Sequence, residues 1–133
     1  MVTLVDTSVW VSFLRGDGSP AHHWLRKAVA EPGDIVTTEP VLMELLAGAG
    51  TTTIGRLEAV FSRMETVSVR VESDFRDAGI LARTARRHGL TVRSIVDCLT
   101  AAVALRCGLS VAHRDADYEA LADIAPLQTL DLR

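Results

Sequence analysis

The sequence predicts a three-layer α/β/α sandwich with a central parallel β-sheet. Five short apolar segments resemble buried strands, and segments with helical periodicity separate them. Three of the gaps hold a pair of helical segments, which is enough chain to cross one face of a sheet and return. We therefore expect one α/β domain over residues 1–133, with helices covering both faces of the sheet.

The expected strands and helices alternate along the chain, and turn residues punctuate them. The strand segments lie at 2–5, 34–38, 66–70, 109–112 and 127–130. The helical patterns cover 7–15, 20–31, 39–48, 53–64, 72–88, 94–107 and 116–123. VTLV, the first strand segment, is rich in β-branched residues, and Thr7 and Ser8 after it are good helix caps. The turn sequence GDGSP then separates the first two helices.

Length and composition are those of a domain with its own core. The chain has 133 residues, of which 48% are apolar. Its formal net charge is −3, from 14 Lys and Arg against 17 Asp and Glu. This charge neither indicates a nucleic-acid binder nor excludes one, because the distribution of charge matters more than its sum.

We expect a cytoplasmic protein without a membrane span. Asp6 interrupts the only early apolar run, so no signal peptide is predicted. The later stretch SIVDCLTAAVALRCG contains Asp97 and Arg106 and is short for a bilayer, so we interpret it as a buried helix. Cys98 and Cys107 lie on this helix about 13 Å apart along its axis, too far for a disulfide. We expect both cysteines to be reduced core residues.

Acidic and hydroxyl residues follow three of the expected strands. Asp6 comes directly after the first strand, Asp115 follows the fourth, and Thr37 and Thr38 end the second, just before the helix with Glu44. In an open parallel sheet, ligands bind beyond the carboxyl ends of the strands. These positions therefore predict a functional site at that edge of the sheet.

Each acid also has a purely structural interpretation. Asp6 can be a helix N-cap, and Glu44 can be a solvent-facing residue of EPVLMELLAG, although it shares its side of that helix with small residues. Ser94 and Asp97 match a capping box, in which Asp97 returns the hydrogen bond to the cap. Asp117 can be a cap or a helper of Asp115. We favour function for Asp6, Glu44, Asp97 and Asp115 because of their placement as a set.

The residue types indicate which metal such a site would take. Carboxylates without clustered His or Cys suit hard cations such as Mg²⁺ or Mn²⁺, and zinc is disfavoured. No convincing pair of a Ser or Cys nucleophile with a His base is present in the sequence. We therefore expect metal-assisted chemistry without a protein nucleophile.

The motifs together resemble the PIN-domain ribonucleases, and within them the VapC toxins of bacterial toxin–antitoxin pairs. The resemblance covers essentially the whole chain and rests on four segments in order, VDTSVW, TTEPVLMELLAG, SIVDCLTAAVAL and VAHRDADYEALA. It implies that Asp6, Glu44, Asp97 and Asp115 form the catalytic and metal-binding quartet, with Asp117 as an auxiliary ligand. The four acids follow the family pattern, so an active enzyme is expected.

The resemblance also implies an activity and partners. The chain would hydrolyse RNA phosphodiester bonds endonucleolytically with Mg²⁺, or with Mn²⁺ in its place, and leave 5′-phosphate and 3′-hydroxyl ends. Its partners would be the RNA substrate, a cognate VapB-type antitoxin protein and a second copy of the chain in a homodimer. Substrate contacts are expected from Thr7, Ser8, Arg93 and Arg114.

Basic residues near Asp97 and Asp115 have two interpretations. Arg83, Arg86, Arg87 and Arg93, with His88, either grip RNA phosphates or form a solvated helix end. We interpret His113 and Arg114 as surface loop residues, which can also contact a phosphate. The segments HHWLRKAVA and LEAVF fit dimer or antitoxin contacts about as well as core packing.

Two other functions remain open from the sequence. A metal-dependent phosphatase also places an Asp after its first strand, but it requires a second Asp two residues after the first, where this chain has Ser8. The only lysine is Lys27, and it is not well placed as a phosphate partner. A noncatalytic PIN module that binds RNA or a partner would leave the complete acidic set without a use.

Overall fold

A five-stranded parallel sheet organises the chain, in the order β3-β2-β1-β4-β5. The computed structural model describes residues 2–133. The strands are β1 (Thr3–Val5), β2 (Ile35–Thr37), β3 (Glu65–Thr66), β4 (Ser110–His113) and β5 (Thr129–Asp131). The helices are α1 (Thr7–Arg15), α2 (Pro20–Ala30), α3 (Glu39–Gly48), α4 (Thr51–Phe61), α5 (Asp74–Arg87), α6 (Ile95–Cys107) and α7 (Ala116–Ile124), with a 3₁₀ turn at Pro32–Asp34.

Each face of the sheet carries its own apolar core. Leu4 belongs to the core formed with α5, α6 and α7, whereas the next residue, Val5, belongs to the core formed with α1 to α4. Successive residues of a strand point to opposite faces, so the central strand β1 contributes to both layers of helices. The predicted three-layer α/β/α sandwich with a central parallel sheet is confirmed.

The chain passes from β1 into α1 within one residue. The Asp6 N–H donates to Ala112 O of β4 at 2.9 Å, which extends the pairing of β1 with β4. The Asp6 side chain then caps α1 by accepting from Ser8 N, and Gly16 ends the helix in the left-handed region, with φ at 61°. Asp115 caps α7 in the same way, after β4. Both acids are thereby fixed at the carboxyl edge of the sheet.

The third strand is shorter than its sequence pattern predicts. Strand pairing with β2 covers only Glu65 and Thr66, although the pattern runs from 66 to 70. Val67 N still donates to Thr37 O, but the Val69 N–H donates to the Glu39 carboxylate at 2.6 Å. Arg106 of α6 donates to Ser68 O at 2.8 Å, so side chains from α3 and α6 bond the backbone after Thr66, and the chain leaves the sheet.

The two cysteines differ in their surroundings. Both are free, and Cys98 is buried as predicted. The prediction that Cys107 is also a core residue is wrong, because the last turn of α6 reaches the surface and exposes it. None of the helices formed by residues 2–133 is both long and apolar enough for a bilayer span.

Candidate metal centre

Three carboxylates converge at the carboxyl edge of the sheet. Asp97 lies in the first turn of α6, Asp115 is the N-cap of α7, and Asp117 lies in the first turn of α7. Each offers one carboxylate oxygen, and these three atoms lie within 4.8 Å of one another. Asp97 is 5% exposed and Asp117 is 2% exposed, so at least two of the three are withdrawn from solvent. Asp115 and Asp117 are two residues apart in the sequence, and the fold brings Asp97 of α6 to them.

Asp6 joins this group through a tyrosine. The hydroxyl of Tyr118, a fully buried residue, donates to Asp6 Oδ1 at 2.6 Å and lies 3.5 Å from Asp97 Oδ1. The other Asp6 oxygen, Oδ2, accepts from Ser8 N at 3.0 Å and from Ser8 Oγ at 2.6 Å. Asp6 is therefore both the cap of α1 and a neighbour of Asp97.

The Asp97 carboxylate has an oxygen without a partner. Asp97 Oδ2 is buried and forms no hydrogen bond with any residue from 2 to 133. Burial raises the pKa of Asp97 to about 9, and the negative charge of Asp6, a side-chain hydrogen bond with Asp117 and the negative charges of Asp115 and Asp117 contribute to the rise. A buried, unpaired carboxylate oxygen among other acids is costly in the absence of a cation or a proton.

The capping-box interpretation of Asp97 fails on both of its hydrogen bonds. Within the described residues, the Ser94 side chain makes no capping bond to α6. The Ser94 N–H, to which Asp97 would return a bond, donates instead to Asp117 Oδ2 at 3.1 Å. Arg93 N donates to the same oxygen at 3.0 Å. Asp117 therefore ties α7 to the start of α6, and Asp97 is left without a structural role at the cap.

Glu44 stands beside the group and is not a member of it. Its Oε1 accepts a hydrogen bond from Thr7 Oγ1 at 2.7 Å, so the first residue of α1 links α3 to the site. Glu44 is half-buried and lines a groove of about 300 Å³ between α1, α3 and α4, together with Arg15 and Gly48. Gly48 is one of the small residues expected on the same side of this helix as Glu44, and it does line the same groove.

Of the two residues expected in a surface loop, His113 differs from that prediction, whereas Arg114 lies in the partly exposed bend between β4 and α7. The prediction that His113 is a surface residue is wrong, because it is the last residue of β4 and is fully buried. Its Nδ1 accepts from Asp115 N at 3.1 Å, so its Nε2 carries the proton donated to Glu119 at 2.7 Å. Arg114 N donates to Ser8 Oγ at 2.9 Å, and the Arg114 guanidinium reaches Asp17 at 3.3 Å.

Two arginines flank the acidic group, because Arg114 directly precedes Asp115 and the Arg93 N–H is bonded to Asp117. Arg114 and Arg15 line a shallow cleft of about 310 Å³ next to Ser8. Just before α6, the side chain of Arg93 is exposed, although its backbone N–H is bonded to Asp117. The last two turns of α5 carry three exposed arginines, Arg83, Arg86 and Arg87. Neither these three nor Arg93 forms an ion pair with any residue from 2 to 133.

Sequence reasoning missed Tyr118 and Arg15. Tyr118 directly follows Asp117, but its sequence position does not reveal that its side chain turns toward Asp6. A signal for Arg15 was present, because Ser8, Ser12 and Arg15 have the i, i+4, i+7 spacing of one helix face. These three polar residues lie on one face of α1, whose other face is packed in the core. Such a polar stripe indicates that this face of α1 contacts polar groups, here those of the cleft with Arg114.

The donor set fits a hard divalent cation. Asp6, Asp97, Asp115 and Asp117 offer only carboxylate oxygens, which Mg²⁺ and Mn²⁺ prefer over the nitrogen and sulfur ligands typical of zinc. The orphaned Asp97 Oδ2 is the strongest sign of such a site, since a cation supplies what the surrounding residues do not. Clusters of exposed acids are common without a metal, but this cluster is mostly buried.

Comparison with known proteins gives consistent relatives. The PIN domain family model matches residues 3–124. The chain is 42% identical over 132 residues to Ribonuclease VapC11 of Mycobacterium tuberculosis, covering 98% of each chain. Solved relatives include VapBC-5 of Mycobacterium tuberculosis, at 28% identity, 98% coverage of each chain and a TM-score of 0.67. VapBC2 of Rickettsia felis, bound to a DNA fragment from its promoter, shares the fold at 17% identity, with a TM-score of 0.78 over 100% of each chain.

Proposed function

This chain belongs to the PIN-domain family, and from that membership we propose that it is an endoribonuclease of the VapC type whose carboxylates hold Mg²⁺ or Mn²⁺. Similarity to the VapC ribonucleases over nearly the full chain supports a toxin of a toxin–antitoxin pair. The structural observation that carries the proposal is Asp97 Oδ2, a buried oxygen without a partner among residues 2–133, which lies beside three further acids.

The proposed ligands are Asp6, Asp97, Asp115 and Asp117, with Glu44 acting from the edge of the site. Mg²⁺ or Mn²⁺ bound here would lower the pKa of water, so that the water can lose a proton near neutral pH and attack phosphorus, and its charge would stabilise the leaving oxygen. The side chains supply a rigid frame, because Asp6 is fixed by Ser8 and Asp117 by two backbone N–H groups. Glu44, held by Thr7, adds a carboxylate that can orient an attacking water.

Substrate contacts are proposed for the hydroxyls and arginines around the acids. Thr7 and Ser8 lie next to Asp6, but both hydroxyls already bond within the protein, so we assign them mainly to holding Glu44 and Asp6. The backbone N–H groups of both proposed arginines are bonded to the site, that of Arg93 to Asp117 and that of Arg114 to Ser8. An arginine anchored in this way can neutralise a neighbouring RNA phosphate without moving the carboxylates.

A basic side chain of a cognate antitoxin is the proposed inhibitor of this site. The structural neighbours are VapBC complexes, and a withdrawn cluster of carboxylates is a good target for a guanidinium group. We expect the purified complex to be inactive on RNA and to recover activity when the antitoxin is removed. If the complex cut RNA as fast as the free chain, this mode of inhibition would be wrong. We also expect a homodimer in the complex.

The activity is tested by cleavage of RNA with purified protein. We expect the wild type to cut RNA with Mg²⁺ or Mn²⁺, to stop when EDTA is added, and to leave 5′-phosphate ends. Asp6→Asn should lose about 10²-fold or more in rate, comparable to the loss of one strong charge-stabilising group. Asp123→Asn is the matched control, because Asp123 is an exposed acid of α7 that lies outside the acidic group.

Two outcomes would contradict the proposed function. Cleavage that persists undiminished in Asp6→Asn, or in EDTA, would mean that another site or a contaminating nuclease does the work. Failure of the wild type to cut any RNA while it still binds RNA would favour the noncatalytic module instead.

A further inference from the structure

We propose that Tyr118 is a positioning residue of the metal centre, and that its hydroxyl fixes Asp6 so that Asp6 offers a cation a single oxygen, Oδ1. This inference rests on the proposed function, since it concerns how the same site holds its cation. It assigns a role to a residue that neither the acidic motifs nor their spacing identified.

The number of acceptor positions on Asp6 limits how it can bind a cation. An ionised carboxylate has two oxygens with about four lone-pair positions in all. Ser8 fills both positions of Oδ2, through its N–H at 3.0 Å and its hydroxyl at 2.6 Å. Tyr118 fills one position of Oδ1 at 2.6 Å. One position on Oδ1 is left, so Asp6 cannot chelate with both oxygens unless a bond to Ser8 breaks.

Tyr118 also lies between two of the carboxyl groups of the site. Its hydroxyl lies between Asp6 Oδ1 and Asp97 Oδ1, at 2.6 and 3.5 Å. The hydroxyl has one proton, and the 2.6 Å contact shows that it is donated to Asp6 Oδ1, so the hydroxyl oxygen faces Asp97 Oδ1. Asp97 keeps Oδ2 free of such a donor among the described residues, so that oxygen remains available to a cation.

The ring and the hydroxyl of Tyr118 have separable roles. The ring is part of the apolar core formed with α5, α6 and α7, together with Leu4 and Leu121. A phenylalanine would fill that space equally well, and only the hydroxyl touches the acids. Tyr118→Phe therefore removes the contact with Asp6 and keeps the core filled.

The test is a calorimetric titration of Mn²⁺ into metal-free protein, without RNA. Tyr118→Phe should bind Mn²⁺ on the order of 10–100-fold more weakly than the wild type, as is typical when a partner that orients a metal ligand is removed. Ser110→Ala is the matched control. It removes a 2.9 Å hydroxyl contact with Thr3, and both residues lie at the starts of their strands, β4 and β1, away from the acids. It should bind Mn²⁺ as tightly as the wild type.

A second measurement uses the wild type alone. Tyr118 is the only tyrosine in the chain, so the tyrosine bands of a near-ultraviolet difference spectrum report on this one residue. Saturating Mn²⁺ should perturb those bands with the same midpoint as the calorimetric titration. This arm gives an answer even where Tyr118→Phe fails to fold.

The outcomes separate the inference from the proposed function. Binding of Mn²⁺ by Tyr118→Phe as tight as wild type, or tighter, overturns the positioning role and leaves the metal site standing. Tyrosine bands that stay unchanged at saturating Mn²⁺ do the same. A wild type that binds no Mn²⁺ overturns both proposals.

Discussion

Asp97 shows why one buried residue can be costly to the fold and useful to the site. Its carboxylate is 5% exposed, has one oxygen without a partner among residues 2–133, and lies near the acids Asp6, Asp115 and Asp117. Folding without a cation therefore forces this group to be buried either neutral or unpaired. A cation would relieve that cost.

We predict that Asp97→Asn separates stability from activity. The amide keeps the shape of the side chain without a negative charge, so the metal-free variant should melt at the same temperature as the wild type or higher, while cleavage is lost. Mn²⁺ at a hundred times its dissociation constant should stabilise the wild type by about 2.7 kcal/mol, and the variant far less. In a domain of this size that is roughly 5–15 °C in melting temperature.

Thermal melts with and without Mn²⁺, combined with one RNA cleavage assay, check this prediction. An equal Mn²⁺ shift in the two proteins would show that Asp97 is not a ligand. A small loss of stability with full activity, about 1 kcal/mol or less, would mean that Asp97 has only a structural role.

At the scale of the elements, a buried ion pair holds the chain segment between β3 and α5. Asp74, the first residue of α5, is fully buried, and Arg106 of α6 donates to it through Nε at 2.9 Å and through Nη2 at 2.9 Å. Arg106 also donates to Ser68 O at 2.8 Å. The same guanidinium thus fastens α5 to α6 and bonds the backbone that β3 leaves unpaired.

The pH dependence of this pair is predictable in sign. Burial alone would raise the pKa of Asp74, but hydrogen bonds from Arg106 and from Arg70 N, with the positive charge of Arg106, lower it below its ordinary value. The pair should therefore contribute fully above the pKa of a free Asp, about 3.9, and lose its contribution as pH falls through the lower folded-state value.

We predict that Arg106→Met costs about 3–5 kcal/mol at neutral pH, since it leaves a buried charge unpaired. The difference from the wild type should narrow as pH falls and Asp74 becomes protonated. Arg76→Met, at an exposed site of α5 without an ion pair among residues 2–133, is the control and should cost little. Urea unfolding at several pH values measures this, and a difference that stays constant with pH would contradict it.

Local signals explain which elements the sequence could predict. The helix ends could be predicted because Pro20 and Gly16 act within their own turns. The acids could be predicted as a set because the carboxyl ends of parallel strands meet at one edge of the sheet. The early end of β3 was not readable, since it depends on Glu39 and Arg106 from distant helices. Tyr118 escaped for the same reason, because only the packing of α7 on the sheet turns its hydroxyl toward Asp6.

At the scale of the whole molecule, a net charge of −3 conceals an uneven distribution of charge. The buried carboxylates Asp6, Asp97 and Asp117 lie at one edge of the sheet, and the exposed residue Arg93 stands beside them, since its N–H is bonded to Asp117. An RNA strand can reach the acids only if cations on the protein or in solution offset their repulsion. Arg93 therefore matters for binding even though the total charge is negative.

We predict that Arg93→Ala weakens RNA binding and lowers its dependence on salt. Each lost contact with a phosphate of single-stranded RNA should reduce the slope of log K against log salt concentration by about 0.7. Arg63→Ala is the control, because Arg63 is exposed just before β3, at the opposite edge of the sheet.

Fluorescence anisotropy with the inactive Asp97→Asn chain as background, in EDTA, keeps the RNA intact during this measurement. Equal slopes for the Arg93 and Arg63 variants would contradict a contact between Arg93 and phosphate.

The bond from the Asp6 N–H to Ala112 O ties the lifetime of the site to that of the fold. Amides in central strands exchange with solvent chiefly through global opening, whereas most functional loops open locally and often. Asp6 is joined to the central strand with no loop between them, so its amide should exchange as slowly as those of β1 and β4. Local opening of surface segments should therefore leave Asp6 in place. Displacement of Asp6 should require global unfolding, in which the core is lost as well.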